Sequence, residues 1–154
     1  MLKATNRELN DLLTGTFDLV IKVEQATFKG TRYSDLTISE IHTIEAIGEG
    51  ESAMGEVAAR LGITQATLNT TVGRLCVKGY IERRRTEEDR RLVLVSLTRP
   101  GKVVYRLHDR FHDRLIANAI AEFSDAERIA LVSALNKVRH FIEEAISLGE
   151  EGDA

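Results

Sequence analysis

The chain has 154 residues, of which 43% are hydrophobic and 29% charged, and a formal net charge of −3. That length supports one domain with a substantial core, and the composition excludes a disordered chain. No apolar run approaches the roughly 20 residues needed to span a bilayer. The start, MLKATNRELNDLL, reads as an amphipathic helix with acids mixed in and has no signal-peptide core. A lone cysteine, Cys76, excludes an intrachain disulfide and points to a reducing cytoplasm.

Leu9, Leu12, Leu13, Phe17, Val20 and Ile21 recur at helical spacing and predict a first helix over 5–28. FKGTRYSD is a loop, after which Thr37 and Glu40 form a capping box for a second helix ending at Gly48. GEGES reads as a turn. Residues 53–61 are a short third helix stopped by Gly62, and Thr64 caps a fourth over 65–78, closed by Gly79. The period then changes to two: YIERRR and RLVLVSL are the arms of a hairpin around TEED. Thr98 caps a fifth helix with Pro100 in its first turn, running to about Ala121. Ser124 and Glu127 make a capping box for the last helix, whose stripe is Ile129, Val132, Leu135, Val138 and Ile142.

Charge is concentrated. Residues 60–91 hold eight basic side chains against four acids, a local +4, while the remainder of the chain sums to −7 and the stretch 143–153 carries acids only. A basic lobe on an acidic body fits a polyanionic partner.

The third helix, the Gly62-Ile63-Thr64 turn and the fourth helix describe a helix-turn-helix. The fourth helix places Leu68, Val72 and Leu75 inward, and Gln65, Ala66, Thr67, Asn69, Thr70, Thr71 and Arg74 elsewhere on its surface. Small polar groups with one arginine suit major-groove base edges and phosphates, whereas a merely structural helix favours the better formers Glu and Lys. With a basic hairpin following, the whole reads as a winged helix-turn-helix: a mainly α fold with a small β-hairpin wing. The wing supplies Arg84, Asp89, Arg90 and Arg91, its tip placing a guanidinium in the minor groove and Asp89 holding an arginine in a bidentate pair.

The arrangement resembles the MarR family of bacterial transcription regulators over essentially the whole chain. The family's wing signature, Asp-x-Arg followed by Leu-Thr-x-x-Gly, stands here as Asp89-Arg90-Arg91 and Leu97-Thr98-Arg99-Pro100-Gly101. The resemblance implies that Arg91 enters the minor groove and that Arg74 and residues 65–71 read the major groove. It also implies a homodimer on a near-palindromic double-stranded DNA operator. One domain then covers 1–154, with the winged helix over about 36–98 and dimerisation helices over about 5–28 and 99–148.

Two stretches, FKGTRYSDLTISEIHTIEAIG and RLHDRFHDRL, are similar to the fatty-acid-synthesis repressors of Gram-positive bacteria, whose corepressor is a long acyl chain delivered on acyl carrier protein. A second reading competes. His108 and His112 stand one turn apart on the fifth helix, a spacing that suits two imidazoles on one metal. Zinc-responsive members of the family use a carboxylate from the first helix, a histidine from the second and two from the fifth, which carries over to Glu24, His42, His108 and His112. The alternative for these four is a hydrogen-bonded polar network. Cys76 reads as a small buried hydrophobe.

No nucleophile pattern, phosphate loop or paired-carboxylate motif points to an enzyme. The rival from another class is a winged helix that binds protein and no DNA.

Overall fold

Capping chemistry sets where most of the helices begin in the computed structural model, which describes residues 5–85 and 92–151. Helix α1 (Asn6–Lys29) starts at Thr5, whose hydroxyl accepts from the Glu8 amide while the Glu8 carboxylate accepts from the Thr5 amide. Helix α2 (Ile38–Ile47) repeats the device with Thr37 and Glu40. After strand β1 (Glu51–Ala53) come α3 (Met54–Leu61) and α4 (Gln65–Val77), the latter capped by Thr64. Strands β2 (Ile81–Arg85) and β3 (Val93–Leu97) lead into α5 (Arg99–Ala119), and α6 (Asp125–Glu151) follows a Ser124–Glu127 capping box. No helix among the described residues is long and apolar enough to cross a membrane.

The turn of the helix-turn-helix is a Schellman motif. Gly62 takes a φ of +63°, and the amides of Gly62 and Ile63 donate to the carbonyls of Ala59 and Ala58. Helix α4 ends the same way at Gly79, φ +80°, with the Gly79 and Tyr80 amides donating to Cys76 and Leu75. The chain is thereby turned directly from α4 into β2.

GEGES is a correction to the sequence reading. Its last two residues open β1, which pairs antiparallel with β3, so the sheet has three strands in the order β1-β3-β2. Nothing local favours a strand there, since Gly and Glu are poor strand formers. The ladder from β3 supplies what the local sequence lacks, and Ser52 is fixed as its hydroxyl donates to the Ile47 carbonyl. Helix α5 also stops two residues short of the expected Ala121.

The chain divides into two compact units, residues 1–111 and 112–154, the division falling within α5. The core of the first is built from Ile41, Ile44 and Ile47 of α2, Val57 of α3, Leu68, Val72 and Leu75 of α4, Val95 and Leu97 of β3 and Val104 of α5. Cys76 is half-buried against it. An ion pair on the buried Glu40 braces the same unit. Lys78 donates to Glu40 (2.8 Å) and to the Asp35 carbonyl (2.5 Å). Burial pushes the Glu40 carboxyl up, but hydrogen bonds from Lys78 and Thr37 outweigh it, and the net shift is below the ordinary carboxylate value.

Candidate nucleic-acid interface and the buried histidine cluster

Helix α4 is amphipathic in the sense the sequence predicts. Leu68, Val72 and Leu75, at successive turns, have no solvent exposure. Gln65, Ala66, Thr67, Asn69, Thr70 and Arg74 are exposed and Thr71 is half-buried. The hydroxyls of Thr70 and Thr71 donate to the carbonyls of Ala66 and Thr67, at 3.2 and 3.4 Å. Each proton is thus committed to the helix, and what remains is an acceptor oxygen and a methyl. Those are the groups that meet an exocyclic amine or a thymine methyl in the major groove. The helix contains no acid.

The described arm of the wing is anchored to this helix. Arg83 of β2 donates to the Asn69 carbonyl at 2.9 Å. The side-chain alternation of a strand puts Arg83 and Arg85 on one face and Arg84 on the other. Arg84 makes a two-pronged contact with Glu51 of β1, at 2.5 and 2.6 Å, reaching over the intervening β3. The Arg84 hydrogen bonds hold the Glu51 carboxyl below its ordinary value, against a smaller opposing effect of burial. The carboxylate that orients Arg84 is Glu51, 33 residues away, and no local pattern signals it. Asp89, expected to orient a wing arginine, lies outside the described residues, as do Arg90 and Arg91.

The base of the wing is closed by the Leu-Thr-x-x-Gly stretch. Leu97 is buried, Thr98 donates its amide to the Tyr80 carbonyl (3.1 Å) and its hydroxyl to the Gly79 carbonyl (2.7 Å), and it accepts from the Gly101 amide. One threonine joins the end of α4, the sheet and the start of α5.

Glu24, 1% exposed, lies between two histidines. His108 Nε2 is 2.8 Å from its Oε1 and His42 Nε2 is 3.2 Å from the same oxygen. On the other side of the His108 ring, Nδ1 stands 3.7 Å from Glu45 of α2, a residue the sequence reading did not include. Glu45 follows His42 by three residues, so the helical period was the available signal. His108 is 2% exposed, whereas the His42 side chain is 39% exposed. His112 is half-buried one turn further along α5, where the second unit begins.

A carboxylate with imidazoles is a donor set that zinc accepts, and the ligand atoms of His42, Glu45 and His108 lie within 4.8 Å of one another. The 2.8 Å from Glu24 to His108, however, is a hydrogen-bond distance, shorter than the roughly 3.4 Å between two donors on one tetrahedral zinc. No buried side-chain nitrogen or oxygen among the described residues is left without a partner.

A helix-turn-helix whose second helix offers an acid-free polar face, backed by a three-stranded sheet with an arginine-rich strand, defines a winged helix-turn-helix protein. The family model of the MarR family matches residues 34–92. Streptococcus pneumoniae FabT, solved in complex with DNA, is 35% identical and superposes with a TM-score of 0.87 over 91% of this chain and 99% of that one. Bordetella bronchiseptica BpsR, whose DNA binding is regulated by 6-hydroxynicotinic acid, is 25% identical with a TM-score of 0.66 over 86% and 98%. The uncharacterized HTH-type regulator YhjH of Bacillus subtilis is 28% identical over 82 residues, 53% of this chain, and the chain spans about half of it, 47%. The chain belongs to the MarR family. Membership of a family of transcription regulators agrees with the expectation that it is not an enzyme.

Proposed function

We propose that this protein is a sequence-specific, double-stranded DNA-binding repressor that acts as a homodimer in the cytoplasm and controls genes of fatty-acid synthesis. The observation that carries the DNA reading is α4, whose Leu68, Val72 and Leu75 are wholly buried while six polar or small residues stand exposed beside an anchored basic strand. Helix polarity of this kind, with no carboxylate to repel phosphate, is what groove recognition requires. The dimer reading rests on apolar side chains left uncovered. In α1 Leu12, Phe17 and Leu19 are 61–67% exposed, and in α6 Ile129, Val132 and Phe141 are 60–71% exposed. Burying such faces against a second copy removes an aggregation liability.

The fatty-acid assignment is supported by the 35% identity to FabT over nearly the full length of both chains. On this reading the corepressor is a long acyl chain presented by acyl carrier protein, and Glu24, His42 and His108 are a structural polar network. The regulation of BpsR by a small organic acid supports a small effector in general. The convergence of His42, Glu45 and His108 favours one second reading, a zinc-responsive repressor.

The decisive measurement is fluorescence anisotropy with labelled duplexes from upstream of the fatty-acid-synthesis genes and with shuffled duplexes of equal length. Specific binding that weakens steeply with salt is expected, because several phosphates are neutralised per dimer. Affinity that is equal for both duplexes and flat in salt overturns the reading and leaves a protein-binding winged helix. Adding long-chain acyl carrier protein, or zinc, to delipidated protein then identifies the effector.

A further inference from the structure

Away from the exposed polar face of α4 and from the histidine cluster, the first unit has a pocket of about 520 Å³ lined by Arg32, Tyr33, Lys78, Tyr80, Arg99, Pro100 and Val103. We propose that this pocket binds a small organic phosphate monoester, with Arg32 and Arg99 holding the phosphate and Tyr80, Pro100 and Val103 contacting the organic body.

The charges around the pocket decide the ligand's class. Three cations line it and no acid does. Lys78 is already neutralised by Glu40, and Asp35 accepts from the Tyr80 hydroxyl at 3.0 Å from outside the lining. Arg99 is exposed with no hydrogen-bond or ion-pair partner among the described residues. Among the described residues Arg32 meets the Tyr33 hydroxyl, at 2.6 Å, and that ring, and no carboxylate. Two guanidiniums, neither ion-paired among the described residues, are an incomplete arrangement. Guanidinium forks match phosphate oxygens, and a phosphate monoester carries about −1.5 to −2 charges at pH 7, enough for both, where a monocarboxylate leaves one over. The volume is far larger than the phosphate itself and falls in the range of metabolite-sized sites, roughly 300–1,000 Å³. The lining beyond the cations is aromatic and aliphatic, which suits an organic body.

The site's position gives it a second property. Arg32 belongs to the α1–α2 connection, Lys78 and Tyr80 to the junction between α4 and β2, and Arg99 to the first turn of α5, next to the Thr98 junction. A phosphate held by both arginines bridges the α1–α2 connection to the point where the recognition helix and the wing are joined.

The test is made without DNA, so its outcome is independent of the operator reading. Isothermal titration calorimetry of the whole chain compares phenyl phosphate, inorganic phosphate and benzoate. Phenyl phosphate is expected to bind about tenfold or more tighter than either of the others. Its affinity falls when the pH is lowered through about 6, the second phosphate pKa. Arg32→Gln and Arg99→Gln each weaken it about tenfold while leaving the melting temperature unchanged, both side chains being exposed. Benzoate binding as tightly as phenyl phosphate overturns the ligand class. Equal binding of phenyl and inorganic phosphate removes the organic subsite, and arginine variants that bind like the parent remove the pocket.

Discussion

Gly101, in the first turn of α5, lies so close to Tyr80 that a β-carbon on it would stand 2.1 Å from the Tyr80 carbonyl oxygen and 3.3 Å from the Leu97 β-carbon. The same carbonyl accepts from the Thr98 amide, so it cannot retreat without breaking the junction between α4, the sheet and α5. The final glycine of the Leu-Thr-x-x-Gly signature is thus a packing requirement at the base of the wing.

Gly101→Ala is therefore expected to destabilise the fold by about 1–3 kcal/mol, the usual range for overpacking against a rigid neighbour. Gly73, mid-helix in α4, has nothing within 4 Å of where its β-carbon would stand. Gly73→Ala should instead stabilise by about 0.5–1 kcal/mol through lower chain entropy. Urea denaturation of both variants at one protein concentration, needed because the proposed dimerisation would add to apparent stability, checks the pair of signs.

Lys78→Met should cost about 1–3 kcal/mol at neutral pH, because it leaves the buried Glu40 carboxylate without its cation. Glu40 titrates below the ordinary carboxylate value in the folded chain, so its contribution is present above the unfolded pKa and is lost as pH falls through the lower, folded one. The gap between parent and variant, followed by denaturation at a series of pH values, should accordingly close in acid. A gap that stays constant with pH would assign the loss to lysine packing alone.

Glu51→Gln removes the counter-charge of Arg84 on the wing face. Net charge rises by one unit, so duplex affinity should increase and its salt dependence steepen by up to about one unit of slope. Arg74→Ala should shallow the slope by a similar amount and, since Arg74 stands with the residues expected to read the major groove, also relax base preference. Thr70→Ala should relax specificity alone, at single base pairs, by about 1–3 kcal/mol. Anisotropy titrations over several salt concentrations separate these outcomes. From the resemblance, Arg91→Ala should weaken binding and abolish preference for A·T-rich flanks.

Chelation distinguishes the two effector readings. With an acyl corepressor, EDTA leaves operator affinity unchanged and long-chain acyl carrier protein raises it. With zinc at Glu24, His42, His108 and His112, His108→Ala abolishes stoichiometric metal and metal-dependent operator affinity together. Linkage then requires the operator to tighten zinc binding by the same factor. Metal analysis of the purified chain and paired titrations with and without DNA measure both.

Much of the architecture was legible because its signals are local. Capping boxes at Thr37 and Ser124, the positive-φ glycines at 62 and 79, and the i, i+4, i+7 run of Leu68, Val72 and Leu75 each act within a few residues. A sequence window contains all the physics that decides them. Wherever partners come from distant segments, only the tertiary structure decided. Strand β1 exists because β3 pairs with it, Arg84 is held by a carboxylate 33 residues away, and Glu24 meets a histidine 84 residues on. The sequence named Glu24, His42 and His108 as candidates and passed over Glu45, one helical turn beyond His42, but it had no means of setting the contacts among them. Those contacts are fixed by how α1, α2 and α5 pack and by no property of any one of them.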